Sequence, residues 1–340
     1  MKRHAICIGL RAVSCLALVA VCACSTGPNQ DKPSTAGDAA PPVEKPAFPA
    51  VTFTHGLSPI GDMMRAFGEQ CGGGVVLMNG LEERAVQKAD FKKQPYEQAI
   101  AYFASALGCI YTHTPYYYLI LPPEYQQLEN VSLASKLHER YAGLKASAVF
   151  GAKTEVYIVL AVLSESLDIT LVADNFIAES RCGEMHVPEA PLSVILEAVV
   201  QSARIPSDTL EIESTPEYIF LRAARNENKA SPRVDSGATL PEQSALLDRQ
   251  VSLSLPAVPE EKEGLIFAFR PIPLREALNP LTEQLGVKVT AQRRLAEIPI
   301  NPVVFKNVRL ETAMNLLLRQ WPLAGFVWEL QADRILIREN

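Results

Sequence analysis

The chain has 340 residues, 48% hydrophobic and 21% charged, with 32 Lys and Arg against 38 Asp and Glu. This is the composition of a globular protein long enough for two or three domains. The net charge of −6, with no basic cluster, argues against nucleic acid as a partner.

Met1 to Ala23 opens with Lys2, Arg3 and Arg11, continues with the apolar run Ala12 to Val21, and has no acidic residue. It reads as an export signal, residues 1–23. No stretch approaches the ~20 apolar residues of a membrane span, so any membrane link would be covalent. Val21, Cys22 and Ala23 before Cys24 resemble the bacterial lipobox, whose cysteine receives diacylglycerol and a fatty acid such as palmitate. A plain cleaved signal with an incidental cysteine is the bland alternative. Ser25 after Cys24 resembles an outer-membrane address, with the protein facing the periplasm. Beyond that covalent lipid, no cofactor is expected. Residues 24–50 hold prolines 28, 33, 41, 42, 46 and 49 among small residues, and read as a disordered tether spanning ~30 Å as a coil and up to ~80 Å as polyproline II. Cleavage after Ala23 would leave 29 basic and 38 acidic residues, a charge of −9. That disfavours anionic headgroups and leaves the anchor as the only membrane contact.

The remainder repeats itself. Apolar residues at helical spacing occur at Tyr96, Ala99, Ile100, Phe103, Ala104 and Leu107, again from Leu192 to Ala203, and again from Leu310 to Trp321. Shifts of 96 and 214 residues superimpose these ladders. The same shifts align Phe53 with Val149 and Phe267 in a first strand, Leu265 to Phe269 in the third copy. A first helix is predicted on Ile60, Met63, Met64 and Phe67, on Val156, Val159, Leu160 and Leu163, and on Leu274, Ala277, Leu278 and Leu281. Two strands follow it, around Val75 to Met78 and ending at Phe91. The second helix comes next, with Pro95 or Pro191 at its start. A hairpin closes each unit, Cys109 to His113 with Tyr116 to Leu121 in the first, and differing hairpin turns are expected to absorb the length differences.

The expected fold class is α+β: three small βαββαββ two-layer domains in tandem after the signal peptide and tether. The divisions are domain 1 at 51–122, a linker with a short helix (Leu128 to Tyr141) at 123–143, domain 2 at 144–223, a flexible linker at 224–263 and domain 3 at 264–340. Domains 1 and 2 should pair loosely and domain 3 should move separately. Pro280 should kink or end its helix.

This order of elements, with "IPLREALNPLTEQLGVKV" (Ile272 to Val289), "VVFKNVRLETAMNLLL" (Val303 to Leu318) and "DRILIR" (Asp333 to Arg338), resembles the short N-terminal (STN) domain of secretins and TonB-dependent receptors. The first copy follows it in its second helix and hairpin, and the second copy follows more weakly. The resemblance implies a periplasmic interaction module, and hence a non-enzymatic scaffold. Its partner would be an envelope complex such as a secretin, pilus or transport machine, with association of further copies of the chain also open. The alternative is a sensory lipoprotein that binds a peptide or cell-wall fragment.

Few residues suggest chemistry. Cys109 with His113 and Cys182 with His186 share a C-x3-H spacing. On a strand that spacing spans ~13 Å, too far for one metal ion, so no metal site is expected. Cys71 and Cys109 end the two helices of the first unit, and either a disulfide or two buried thiols fits. Gly72 to Gly74 reads as a helix C-cap, and Ser58 as an N-cap. Neither a catalytic motif nor a paired carboxylate is evident, so no catalytic residue is named. Tyr116, Tyr117 and Tyr118 concentrate aromatic surface on one hairpin. They read either as cross-strand packing or as a binding edge. Trp321 and Trp328 are expected in the core.

Overall fold

The structure is a computed structural model that describes residues 47–130, 132–226, 233–234, 245–255, 271–321 and 325–340. Cys24, the signal peptide, most of the tether and the expected strand Leu265 to Phe269 lie outside these residues. Among the described residues no helix is long and apolar enough to cross a membrane.

The protein is α+β, and one order of elements recurs three times. The first segment contains β1 (Val51–His55), α1 (Ile60–Cys71), β2 (Val75–Leu77), β3 (Ala89–Gln94), α2 (Tyr96–Ala106), β4 (Ile110–His113) and β5 (Tyr118–Leu121). The second contains β6 (Lys145–Phe150), α3 (Val156–Leu167), β7 (Thr170–Ala173), β8 (Met185–Pro191), α4 (Leu192–Ser202), β9 (Leu210–Ser214) and β10 (Tyr218–Ala223). The third contains β11 (Gln250–Leu255), α5 (Leu274–Leu285), β12 (Lys288–Ala291), β13 (Val303–Arg309), α6 (Leu310–Arg319), β14 (Phe326–Leu330) and β15 (Arg334–Glu339).

Pairing is equivalent in each. The first and third strands run antiparallel, as β1 with β3, β6 with β8 and β11 with β13. The second strand runs parallel to the last, as β2 with β5, β7 with β10 and β12 with β15. The first amide of each opening helix is capped by a distant carbonyl: Ile60 N–H by Arg84, Val156 N–H by Ser180 and Leu274 N–H by Ile298, at 2.8 to 2.9 Å. A backbone acceptor thus does what a side-chain cap would do. Ser58, the expected N-cap, instead bonds His55 Nδ1 at 3.3 Å. The predicted stripes of both helices are buried in all three segments.

Several expectations are corrected. Phe53 lies opposite Phe91, but Ala148 lies opposite Val187 and Leu253 opposite Phe305. The core column is therefore Phe53, Ala148 and Leu253, while Val149 is 55% exposed. The third segment's first strand lies inside the stretch expected as a flexible linker, because the insertion falls between β11 and α5. Gapless superposition cannot place such a loop. The hairpin turns are closed alike by Thr114 N–H to Tyr117 O, Thr215 N–H to Tyr218 O and Gln331 N–H to Arg334 O. Length differs instead between the second helix and the hairpin. The predicted helix from Leu128 to Tyr141 is a series of 3-10 turns, at Pro123–Asn130, Ala134–Lys136 and Glu139–Tyr141. Helix α5 continues past Pro280 to Leu285. Pro280 sits on its half-exposed side, and Leu274, Ala277, Leu278, Leu281 and Leu285 hold the rest in the core.

The loose pairing expected of the first two segments is replaced by a shared sheet of order β4-β5-β2-β8-β6, in which β2 and β8 are antiparallel across the boundary. One apolar core runs from Val51 to Ala223. The third segment's core takes in Val172 and Phe220 from the second. All described residues fall within one compact unit.

Candidate interaction surfaces

Of the tyrosines read as a binding edge, Tyr118 lies inside the sheet, because β5 is held between β4 and β2, and Tyr116 and Tyr117 stand in the turn just before it. Tyr117 is 1% exposed, and its hydroxyl donates to Gln201 Oε1 at 2.6 Å across the boundary between segments. Tyr118 is also buried and stacks on Tyr96 with ring centroids 5.8 Å apart. Burial pushes the Tyr118 hydroxyl up to about 12. Tyr116 is half-buried. Their role is cross-strand and cross-segment packing, since a parallel partner strand occupies the side that sequence left open. Phe48, near the end of the expected tether, packs on Tyr96 at 4.8 Å.

The outer strand of this hairpin is β4. Its residues Ile110, Tyr111, Thr112 and His113 are all half-buried, and among the described residues its ladder partner is β5. Tyr111 donates from its hydroxyl to Glu97 Oε1 at 3.2 Å, which holds the strand to α2. The equivalent outer strands are lined by other parts of the chain. Ser214 on β9 accepts from the His138 N–H at 2.8 Å. On β14, Arg233 bridges to Trp328, whose carbonyl accepts from the Val234 N–H at 2.9 Å. Beside β4, among the described residues, there is the turn Pro123–Asn130 that directly follows β5. The opposite end of the sheet is β6, where Val149 faces out.

Cys71 and Cys109 are free thiols, so the disulfide alternative is not realised. The Cys109 sulfur points to Leu107 O at 3.7 Å, and burial raises both thiols above their ordinary range. Cys182 precedes β8 and is fully buried, its thiol pushed up to about 12. His186 stands on β8 with a buried, unpartnered Nδ1. Among the described residues no group of three or more His, Cys, Asp or Glu side chains is placed to hold a metal ion.

Sequence reading missed the polar ties between segments. Arg65 on α1 grips Glu184 with two bonds of 2.9 and 2.8 Å, and Glu184 also accepts from the Ala152 N–H at 2.9 Å. That hydrogen bond raises the Arg65 pKa. Arg319 on α6 pairs with Glu213 on β9 and lies over the Phe220 ring. Such partners are distant in sequence, and no spacing announces them. The one available signal was Arg319 beside an otherwise apolar ladder. Between β7 and β13 a crevice of water size is lined by Val172, Asn301, Val303 and Gln320, and the Gln320 amide has no partner. It is too small for a peptide.

Comparison with known proteins found no matching family model, no similar curated protein and no similar solved structure.

Proposed function

We propose that the protein is a non-enzymatic, lipid-anchored scaffold of the bacterial outer membrane that faces the periplasm and docks an envelope complex, such as a secretin or pilus machine, through its STN-like segments. Cys24 carries the lipid, and the proline-rich tether expected at 24–50 joins that anchor to the folded part. The observation that supports this reading best is the position of β4, the outermost described strand of a sheet that spans two segments. The outermost strand of a rigid sheet is the place where a partner strand can add. Photo-crosslinking side chains at Tyr111 and Thr112 in intact cells should capture an envelope protein, and the same groups at Ser147 on β6 should not. Cys24→Ser should move the protein from the membrane to the soluble periplasmic fraction. Equal capture at β4 and β6, or none, would remove the docking surface. An unaltered membrane fraction would remove the anchor.

A further inference from the structure

The two junctions between segments share one arrangement, although the strands pair in a ladder only at the first. Between the first and second segments, β2 and α1 receive β8, and the Asn79 N–H donates to Ser202 O at 2.8 Å. Between the second and third, β7 and α3 receive β13, and the Asn175 N–H donates to Gln320 O at 2.8 Å. Asn79 and Asn175 each stand two residues beyond the receiving strand, and Ser202 and Gln320 stand at the end of the second helix. Each contact is head to tail, between a receiving face and the inserting strand of the next segment. Contacts of this kind build rings or open filaments, according to whether the rotation between copies closes. One receiving face, β12 with α5, and one inserting strand, β3, are therefore left unused among the described residues.

Both unused halves are built like the used ones. On the receiving side, Thr282 Oγ1 bonds Val289 N and O at 3.0 and 3.5 Å, as Ser164 Oγ bonds Leu171 N and O at the same distances. On the inserting side, Lys93 and Asn307 both take φ 52°, and their N–H groups donate to Thr52 Oγ1 and Ser252 Oγ at 3.2 and 2.7 Å. The second junction also carries a charge pair that the first, with Pro188 and Glu69 at the same places, lacks. Lys306, just before Asn307, contacts Glu165, just after Ser164, at 2.5 Å. The corresponding residues on the unused halves are Lys92 and Glu283, both exposed. Lys288, in place of Thr170, is the departure, and its long stem can carry the ammonium out to solvent.

We propose that copies of this protein associate head to tail, with β3 of one copy inserted against β12 and α5 of the next and Lys92 pairing with Glu283. The contact repeats the junction between the second and third segments and does not use β4.

The test uses the full chain in its native membrane. Lys92→Cys and Glu283→Cys, each on its own chain and expressed together, should give a covalent dimer with a short bismaleimide. The wild type, with Cys71, Cys109 and the buried Cys182 as its described thiols, and either variant alone should give none. Both substitutions on one chain should give a ladder of higher multiples. No dimer from the mixture above the single-variant level would overturn the proposal, as would equal self-linking by one variant, which marks a face-to-face contact. Independently, Glu283→Lys should weaken self-association by about fivefold in sedimentation of the detergent-solubilised protein, and adding Lys92→Glu to the same chain should restore it. Unchanged association would overturn the pairing. Neither measurement requires an envelope partner, so failure here leaves the docking reading intact.

Discussion

Asp168 shows how far single residues follow the repeat. Helices α1 and α5 end at Gly72 and Gly286 with φ 65° and 66°, the left-handed cap that glycine adopts without steric cost. At the same place α3 ends at Asp168 with φ 53°, where an ordinary side chain is strained. Asp168→Gly should therefore stabilise the protein by about 0.5–1 kcal/mol, read as a higher midpoint in urea. A lower midpoint would show that the carboxylate contributes more than the strain costs. Gly72 was legible as a cap from its place after an apolar ladder. Gly74 was not legible in its actual role, which is to let Tyr116 and Tyr117 approach closely: an added Cβ would lie 2.0 Å from Tyr116 O.

At the scale of elements, β8 carries the second segment into the sheet of the first, and His186 is its polar liability. The ring packs against Gly68 of α1 and stands opposite Val75. Burial lowers its pKa, and Glu69 opposes that only partly. The folded protein thus holds His186 neutral where the unfolded chain takes a proton, so the unfolded state binds more protons below the ordinary histidine range. Stability from this residue is present above about pH 6.5 and falls as the pH drops below it. His186→Val, which matches Val304 at the same place on β13, should flatten the fall in melting temperature between about pH 6.5 and 5. An unchanged slope would place the titration elsewhere. The position of β5 illustrates what an element's own sequence conceals. A half-apolar, aromatic strand reads equally as an edge or an interior strand until its second neighbour is known.

For the molecule as a whole, segments that share a sheet and exchange core residues should not melt apart. Met185 on β8 is fully buried opposite Val76 of β2, while both tryptophans, Trp321 and Trp328, belong to the third segment. Met185→Asp buries an unpaired charge and should cost about 3 kcal/mol or more. If the segments unfold together, tryptophan fluorescence and far-ultraviolet circular dichroism should shift to the same lower midpoint. A tryptophan transition left in place would show that the third segment folds alone.

Local pattern alone determined the fold class, the six amphipathic helices and the three hairpins, because helical and strand periodicities are written within about a dozen neighbouring residues. It also determined that Trp321 and Trp328 lie in the core. Only the tertiary structure decided that β11 starts at Gln250, that β5 is interior and β4 the outermost described strand of its sheet, that Cys71 and Cys109 remain thiols, and that Arg65 meets Glu184. Each of these depends on which distant stretch supplies the second neighbour. That choice is made by packing and by satisfying backbone groups across segments, and neither is visible in the spacing of residues along the chain.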